Sequence, residues 1–167
     1  MKITLEVLKE KGASELDIKC FEKFCLYSSN KNIKEFKPVQ LVQQGFNQDV
    51  LRCFNSSLVY KSIDTLEELK EVVDWEIYAD WDGAEYRKTL CQTFKYCPQL
   101  YKQDLKLFKK AVEHHVNNDF GFKDIFEYCG EVLELLPELH KKLRELNLIK
   151  QSCFDVKNDI RKILNSL

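Results

Sequence analysis

Cysteine and histidine are the residue types of this sequence that could hold a metal ion or act as a nucleophile. The seven cysteines include the pairs CFEKFC (20–25) and CQTFKYC (91–97), with four and five residues between their thiols. Structural zinc sites favour two to four residues between paired ligands and usually repeat the pair. The adjacent His114 and His115 would point about 100° apart on a helix. We therefore expect no metal ion and no cofactor, and we interpret most thiols as small buried hydrophobic residues.

Sequence motifs of enzyme catalysis do not occur in the chain. It contains no GxSxG, GxGxxG, P-loop or HExxH pattern, and DWDG (80–83) lacks the acidic spacing and closing glutamate of a calcium loop. We interpret the protein as non-enzymatic. The alternative is a thiol- or zinc-dependent enzyme that uses Cys91, Cys97 and His114 or His115.

Charge is distributed unevenly, although the whole chain has a net charge of −1. Residues 64–85 total −8 and residues 86–112 total +6. The acidic segment predicts a surface that imitates nucleic acid and occupies the basic groove of a partner. Asp64, Glu67, Glu68 and Glu71 are expected along one exposed helical edge, and tryptophan is favoured at interface hot spots. The predicted binding residues are Glu67, Glu68, Glu71, Asp74, Trp75, Asp80, Trp81 and Asp82. The alternative is an ordinary solvated helix face.

A basic stripe provides a second functional hypothesis. Lys102, Lys106 and Lys109 recur at i, i+4 and i+7 of a predicted helix, near Tyr96 and Tyr101. Such a face could bind phosphates and stack bases. The net charge of −1 and the absence of a Gly-containing turn between two short helices argue against direct nucleic-acid binding. We therefore treat a nucleic-acid-binding or regulatory protein as the alternative function.

The elements that must position these residues are predicted to be helices, because five glycines and three prolines are few for a fold rich in turns. We expect a mainly α, irregular helical bundle, and the only strand candidate is a small β-hairpin at 56–63. No internal repeat is evident. Residues 1–167 are predicted to form one domain, with any division into sub-bundles near 117–121. Helices are expected to begin at or after Thr4, Ser14, Pro38 and Asn47, and at Asp64 or Thr65. Further helices are expected to cover 84–96, 99–116, 122–136, 138–148 and 152–164.

The cellular setting is predicted from what the sequence lacks. No stretch of eighteen apolar residues occurs, and the start MKITLEVLKEKG has no apolar segment typical of a secretion signal. An odd number of scattered cysteines is typical of reduced thiols. We expect a cytoplasmic protein that does not bind membranes.

The segment ITLEVLKEKGASELDIKCFEKF (3–24) resembles the start of small tailed-phage and prophage accessory proteins. The matching positions are Thr4, Leu5, Leu8, Lys9, Ala13, Phe21 and Phe24, and Ser14 stands where those proteins have cysteine. The resemblance implies a mobile element in bacterial cytoplasm. It also implies a protein that blocks a host defence or regulatory protein, as anti-CRISPR inhibitors do, and it assigns no functional residue. We hypothesise an inhibitor of a host nucleic-acid-dependent defence system, whose partner is a nucleic-acid-binding host protein.

Overall fold

A computed structural model describes residues 2–27, 34–45, 54–79, 89–117, 123–149 and 154–166. About 80% of these residues are helical, which confirms the prediction of a mainly α fold. The helices are α1 (Leu5–Glu10), α2 (Glu15–Tyr27), α3 (Pro38–Gly45), α4 (Ser57–Lys61), α5 (Leu66–Ala79), α6 (Thr89–Tyr96), α7 (Pro98–Gln103), α8 (Leu105–Asn117), α9 (Lys123–Tyr128), α10 (Gly130–Glu134), α11 (Pro137–Ile149) and α12 (Phe154–Ser166). The β pairing within the described ranges is one isolated antiparallel bridge between Ile3 and Phe36. None of the described helices is long and apolar enough to cross a bilayer.

The chain divides into two compact units, an N-terminal unit (Met1–Trp75) and a C-terminal unit (Glu76–Leu167). The boundary falls within α5, whereas the sequence pointed to a division near 117–121. That residues 1–167 form one domain stays a prediction.

Helix starts in the N-terminal unit follow the capping residues that the sequence predicted. The Thr4 hydroxyl accepts a hydrogen bond from the Val7 amide at the start of α1. Gly12 ends this helix with φ +85°, a conformation that glycine adopts without strain. At the start of α2, the Ser14 hydroxyl accepts a hydrogen bond from the Asp17 amide at 3.2 Å, and the Asp17 carboxylate accepts one from the Ser14 amide at 2.9 Å. Asp17 also accepts from the Asn55 amide at 2.8 Å, which fixes the chain before α4 to the start of α2.

Three predictions about elements are wrong. Residues 57–61 form the short helix α4, and the expected hairpin at 56–63 does not form. The predicted helix 99–116 is broken at Asp104, whose carboxylate accepts from the amides of Lys106 and Leu107, both at 3.0 Å, and thereby begins α8. The predicted helix 122–136 is broken at Cys129 into α9 and α10. The helix expected after Asn47 and the DWDG segment at 80–83 lie outside the described residues.

The C-terminal unit contains the same helix order twice, which corrects the expectation of no internal repeat. α6, α7 and α8 are followed 32 positions later by α9, α10 and α11. Both copies have F-x-Y-C at the end of the first helix, at 94–97 and 126–129. Both also have L-x-K-K-x-x-E in the third helix, at 107–113 and 139–145. We call α6–α8 the first repeat and α9–α11 the second repeat.

Backbone conformation, burial and packing follow the register of this repeat. Cys97 (φ −123°, ψ 28°) and Cys129 (φ −113°, ψ 22°) have nearly the same conformation where each pair of short helices meets. α6 packs against α9, α7 packs against α10, and α12 packs against both α8 and α11. Equivalent positions buried in both copies are Cys97 and Cys129, Tyr101 and Leu133, Leu107 and Leu139, and Ala111 and Leu143.

Candidate interaction surfaces

The outer side of α5 carries three of the predicted acidic residues. Glu67, Glu71 and Asp74 recur at i, i+4 and i+7, so they share one helix face. Glu67 and Asp74 are exposed and Glu71 is half-buried, whereas Leu69 and Val73 on the inner side are fully buried. We call Glu67, Glu71 and Asp74 the acidic face of α5.

Lysines from the same unit neutralise part of this acidic region. The Lys37 ammonium lies 2.8 Å from the Glu71 carboxylate, and this hydrogen bond raises the pKa of Lys37. The Lys11 ammonium lies 3.2 Å from the carboxylate of Asp64, just before α5. The negative charge of the region is therefore smaller than the sequence total suggests.

Glu68 does not belong to this face, so its predicted position on the exposed edge is wrong. Its side chain is buried and accepts hydrogen bonds from the amides of Asp64 and Thr65 at 3.1 and 3.2 Å. The Thr65 hydroxyl accepts in return from the Glu68 amide at 3.2 Å, which completes a capping box. Burial favours the neutral form of Glu68, but a hydrogen bond from the N-terminal amino group, together with those from the Asp64 and Thr65 amides, outweighs burial and lowers the pKa. Glu68 therefore serves the fold at the start of α5.

Of the other predicted residues of the acidic surface, Trp75 lies in a part of the chain that the structure describes. Trp75 is half-buried on α5 and beside the acidic face, so its ring is partly accessible. Asp80, Trp81 and Asp82 lie outside the described residues. Five of the eight predicted residues thus lie on α5, and four of them, Glu67, Glu71, Asp74 and Trp75, are at least partly exposed there.

The predicted basic stripe is divided between two helices. Lys102 lies on α7 and Lys106 and Lys109 on α8, because the chain breaks at Asp104. Lys102 forms an ion pair with Glu131 of α10, and the hydrogen bond lowers the pKa of Glu131. Lys106 is exposed and Lys109 is half-buried. The stripe therefore does not form a single row of available cations.

Tyr101 cannot stack on a ligand from its place in the core. Its side chain is fully buried, and its hydroxyl lies 2.7 Å from that of Thr93. Because the Thr93 hydroxyl donates to the Leu90 carbonyl, Tyr101 is the donor in this pair. Burial raises the pKa of Tyr101 well above its ordinary value. Base stacking by Tyr101, part of the second hypothesis, is therefore wrong.

A different pair of tyrosines is partly accessible at the junctions within the repeats. Lys95 places its ammonium 5.5 Å from the ring centre of Tyr96 and 5.2 Å from that of Tyr128. Tyr96 and Tyr128 are equivalent positions of the two repeats and are both half-buried. The sequence reasoning missed this cluster, although the recurrence of F-x-Y-C was the signal that could have found it.

The thiols and imidazoles lie mainly in packed surroundings. Cys20, Cys97 and Cys129 are buried, Cys25 is half-buried, and none of these four forms a disulfide. Burial raises the pKa of Cys129 to about 12, and its thiol donates to the Phe94 carbonyl. His115 is buried against Phe94, and His114 is half-buried. No group of three metal-binding side chains is found in the described part of the chain.

An open groove of about 590 Å³ lies along α11 in the C-terminal unit. Its wall includes Lys141 and Arg144, and His140 packs on the Phe126 ring with 6.1 Å between ring centres. The lining residues are Glu134, Pro137, His140, Lys141, Arg144 and Glu145. The sequence hypotheses included none of these residues.

Comparison with known proteins assigns the chain to no family. No protein-family model matches the chain, and no curated protein or solved structure is similar enough to count as a match.

Proposed function

We propose that this protein is a non-enzymatic binding protein that engages a basic partner protein through the acidic face of α5. The supporting observation is that Glu67, Glu71 and Asp74 share one accessible face, with the partly accessible Trp75 beside them. Carboxylates in a row can complement a groove lined by lysine and arginine. A tryptophan at the edge can supply the apolar contact that commonly dominates binding energy.

The identity of the partner follows from the phage resemblance of residues 3–24. We propose a nucleic-acid-binding host defence protein in bacterial cytoplasm, whose basic groove normally receives nucleic acid. An acidic helix would then compete with nucleic acid for that groove. Lys11 and Lys37 reduce the charge of the region, because they pair with Asp64 and Glu71.

The test begins with capture of the partner from a bacterial lysate by the tagged full-length protein. The affinity of the purified partner is then measured for the wild type and for a variant with Glu67→Gln, Glu71→Gln and Asp74→Asn. We expect binding by the variant to be at least about tenfold weaker. The loss should be larger at 0.01 M than at 0.1 M salt, since the Debye length falls from about 30 to 10 Å.

A control variant removes the same charge elsewhere in the N-terminal unit. Glu10→Gln, Glu22→Gln and Glu35→Gln replace three exposed carboxylates, of which Glu35 is paired with Lys2 as Glu71 is paired with Lys37. The control should bind like the wild type. Equal affinities of both variants and the wild type at both salt concentrations would contradict the proposal.

Trp75→Ala separates an interface role from a packing role. If Trp75 contacts the partner, affinity should fall by more than about tenfold, as at a typical hot spot. Thermal unfolding of the same variant distinguishes a loss of affinity from a general loss of the fold. A large fall in Tm with unchanged affinity of the folded fraction would assign Trp75 to packing alone.

A further inference from the structure

The third helices of the two repeats present lysines at equivalent outward positions. In L-x-K-K-x-x-E the leucines, Leu107 and Leu139, are fully or almost fully buried, which orients the following lysines away from the core. Lys110 and Lys141 are exposed, and Lys109 and Lys142 are half-buried. Because the repeats stack through α6 on α9 and α7 on α10, a cationic pair recurs once in each repeat.

The same two helices and α12 carry further cations. Lys106 on α8 and Arg144 on α11 are exposed, and α12, which packs against both helices, adds the exposed Lys162. Carboxylates are fewer on the described parts of these three helices, and Glu145 is 3.4 Å from Lys142. We call the cationic side chains of α8, α11 and α12 the basic face; its described members are Lys106, Lys109, Lys110, Lys141, Lys142, Arg144, Arg161 and Lys162.

Several of these cations are not neutralised within the protein. The side chains of Lys106, Lys109, Lys141 and Arg144 form no ion pair or hydrogen bond with any residue that the structure describes. Three lysines of the N-terminal unit, Lys2, Lys11 and Lys37, instead each contact a carboxylate. The charge of these four side chains is therefore available to an anionic partner.

The groove along α11 gives this face a concave site. His140 and Arg144 occupy the positions that Phe108 and Val112 occupy in the first repeat, where both side chains are buried. The ring centres of Phe126 and His140 are 6.1 Å apart and those of Phe94 and Phe108 are 5.9 Å apart, so a ring pair recurs at this position, with interplanar angles of 40° and 79°. The second repeat has thus replaced two apolar residues with a histidine and an arginine beside Lys141. Arginine and lysine together are suited to a phosphate group. They share the groove with Glu134 and with Glu145, whose carboxylate is 3.4 Å from Lys142.

We propose that the basic face binds the phosphate backbone of nucleic acid without reading its sequence, with a phosphate seated in the α11 groove. The described part of this face has no exposed aromatic side chain for base stacking, which favours contact with phosphates. A net charge of −1 gives the protein no general attraction to nucleic acid. Binding must therefore depend on this face, and it is separate from the proposed protein-binding face of α5.

The experiment measures fluorescence anisotropy of a labelled 20-base-pair duplex with the full-length protein at 50 and 200 mM NaCl. If about four phosphates are contacted, the affinity should fall about 100-fold over this range. A variant with Lys106→Gln, Lys141→Gln and Arg144→Gln should bind at least tenfold more weakly at 50 mM NaCl. Its salt slope should decrease by nearly three, since each lost phosphate contact contributes about 0.9.

The control variant carries Lys19→Gln, Lys23→Gln and Lys34→Gln, three exposed lysines of the N-terminal unit. It has the same net charge as the basic-face variant and should bind within about twofold of the wild type. Circular dichroism and thermal unfolding of both variants exclude loss of the fold as the cause. Equal weakening by both variants, or no binding by the wild type at 50 mM NaCl, would overturn the proposal. Equally tight binding of labelled polyglutamate would also overturn it, because the face would then select carboxylates as readily as phosphates.

Discussion

The acidic face of α5 and the basic face of the C-terminal unit differ in how the protein treats their charges. The acidic segment has the larger charge in the sequence, yet Glu68 and Glu76 are buried and Glu71 is paired with Lys37. On the basic face, Lys141 and Arg144 meet no carboxylate among the described residues. The difference shows that a run of charge in a sequence does not measure the charge that a surface offers to a partner. Burial, capping and internal ion pairs decide how much of it is available.

Substitution of the carboxylates that accept hydrogen bonds at helix starts should have the largest effects on stability. Asp17→Asn and Glu68→Gln should each lower the free energy of unfolding by about 1–2 kcal/mol, because each loses an acceptor at a helix start. Glu67→Gln should change it by less than about 0.5 kcal/mol. Urea unfolding at pH 7 measures these differences. Equal effects of Glu67→Gln and Glu68→Gln would remove the distinction between structural and exposed acids.

The pH dependence of stability sharpens the same distinction. Burial favours neutral Asp17, but hydrogen bonds from Ser14 and Asn55 outweigh it and lower the pKa below the ordinary 3.8. The pKa of Glu68 is likewise below its ordinary 4.5. Groups with a lowered folded pKa stabilise the protein above their unfolded pKa, and this stability is lost as pH falls through the folded pKa. The wild type should therefore lose stability below about pH 4, and Asp17→Asn should lose less. Parallel curves from pH 7 to 2.5 would contradict the assignment for Asp17.

The ion pair of Lys11 and Asp64 should have a smaller effect. A double-mutant cycle with Lys11→Gln and Asp64→Asn should give a coupling of about 0.2–1 kcal/mol, because both side chains are partly exposed. The coupling should decrease in 0.5 M NaCl, where screening is stronger. No coupling at low salt would mean that Lys11 does not neutralise Asp64.

Substitutions on the basic face should have the smallest effects on stability. Lys141→Gln and Arg144→Gln are each expected to change the free energy of unfolding by less than about 0.5 kcal/mol, since the two side chains are exposed. Thermal unfolding at low salt provides the measurement. A loss above 1 kcal/mol would show that these cations have structural partners, and their charge would then not be available to a ligand.

Local signals in the sequence were sufficient for much of the N-terminal unit. The caps at Thr4 and Ser14, the proline at Pro38 and the start of α5 after Thr65 were predicted, because the residues that fix them lie within one helical turn. The same logic was available for Glu68, since Thr65 and Glu68 fit the T-x-x-E capping box. Its position was predicted wrongly because the acidic run was interpreted as a surface without considering the cap.

Competition between local signals explains the errors at the helix breaks. At Asp104 the helical spacing of apolar residues continues through the break, and only the capping carboxylate marks the start of α8. Residues 57–61 contain Val59 and Tyr60, which favour strands, yet both are buried in a short helix. Tertiary packing therefore determines the secondary structure of this segment, and packing cannot be predicted from a sequence of so few residues.

The repeat and the basic face were recognised only from the structure. F-x-Y-C and L-x-K-K-x-x-E are separated by dissimilar residues, so identity alone gives a faint signal. Equivalent breaks at Cys97 and Cys129 and matching burial make the relation evident. Arg144 could not be recognised as a candidate from sequence, because its role depends on the exposed groove at the position that Val112 occupies in the first repeat.

The most direct test of the account compares both faces against both ligands. The acidic-face variant and the basic-face variant are each titrated with the purified partner protein and with the 20-base-pair duplex at 50 mM NaCl. We predict that Glu67→Gln, Glu71→Gln and Asp74→Asn weaken only protein binding by about tenfold or more. Lys106→Gln, Lys141→Gln and Arg144→Gln should weaken only duplex binding to a similar extent. If either variant loses both ligands equally while remaining folded, the two faces do not act separately and the account is wrong.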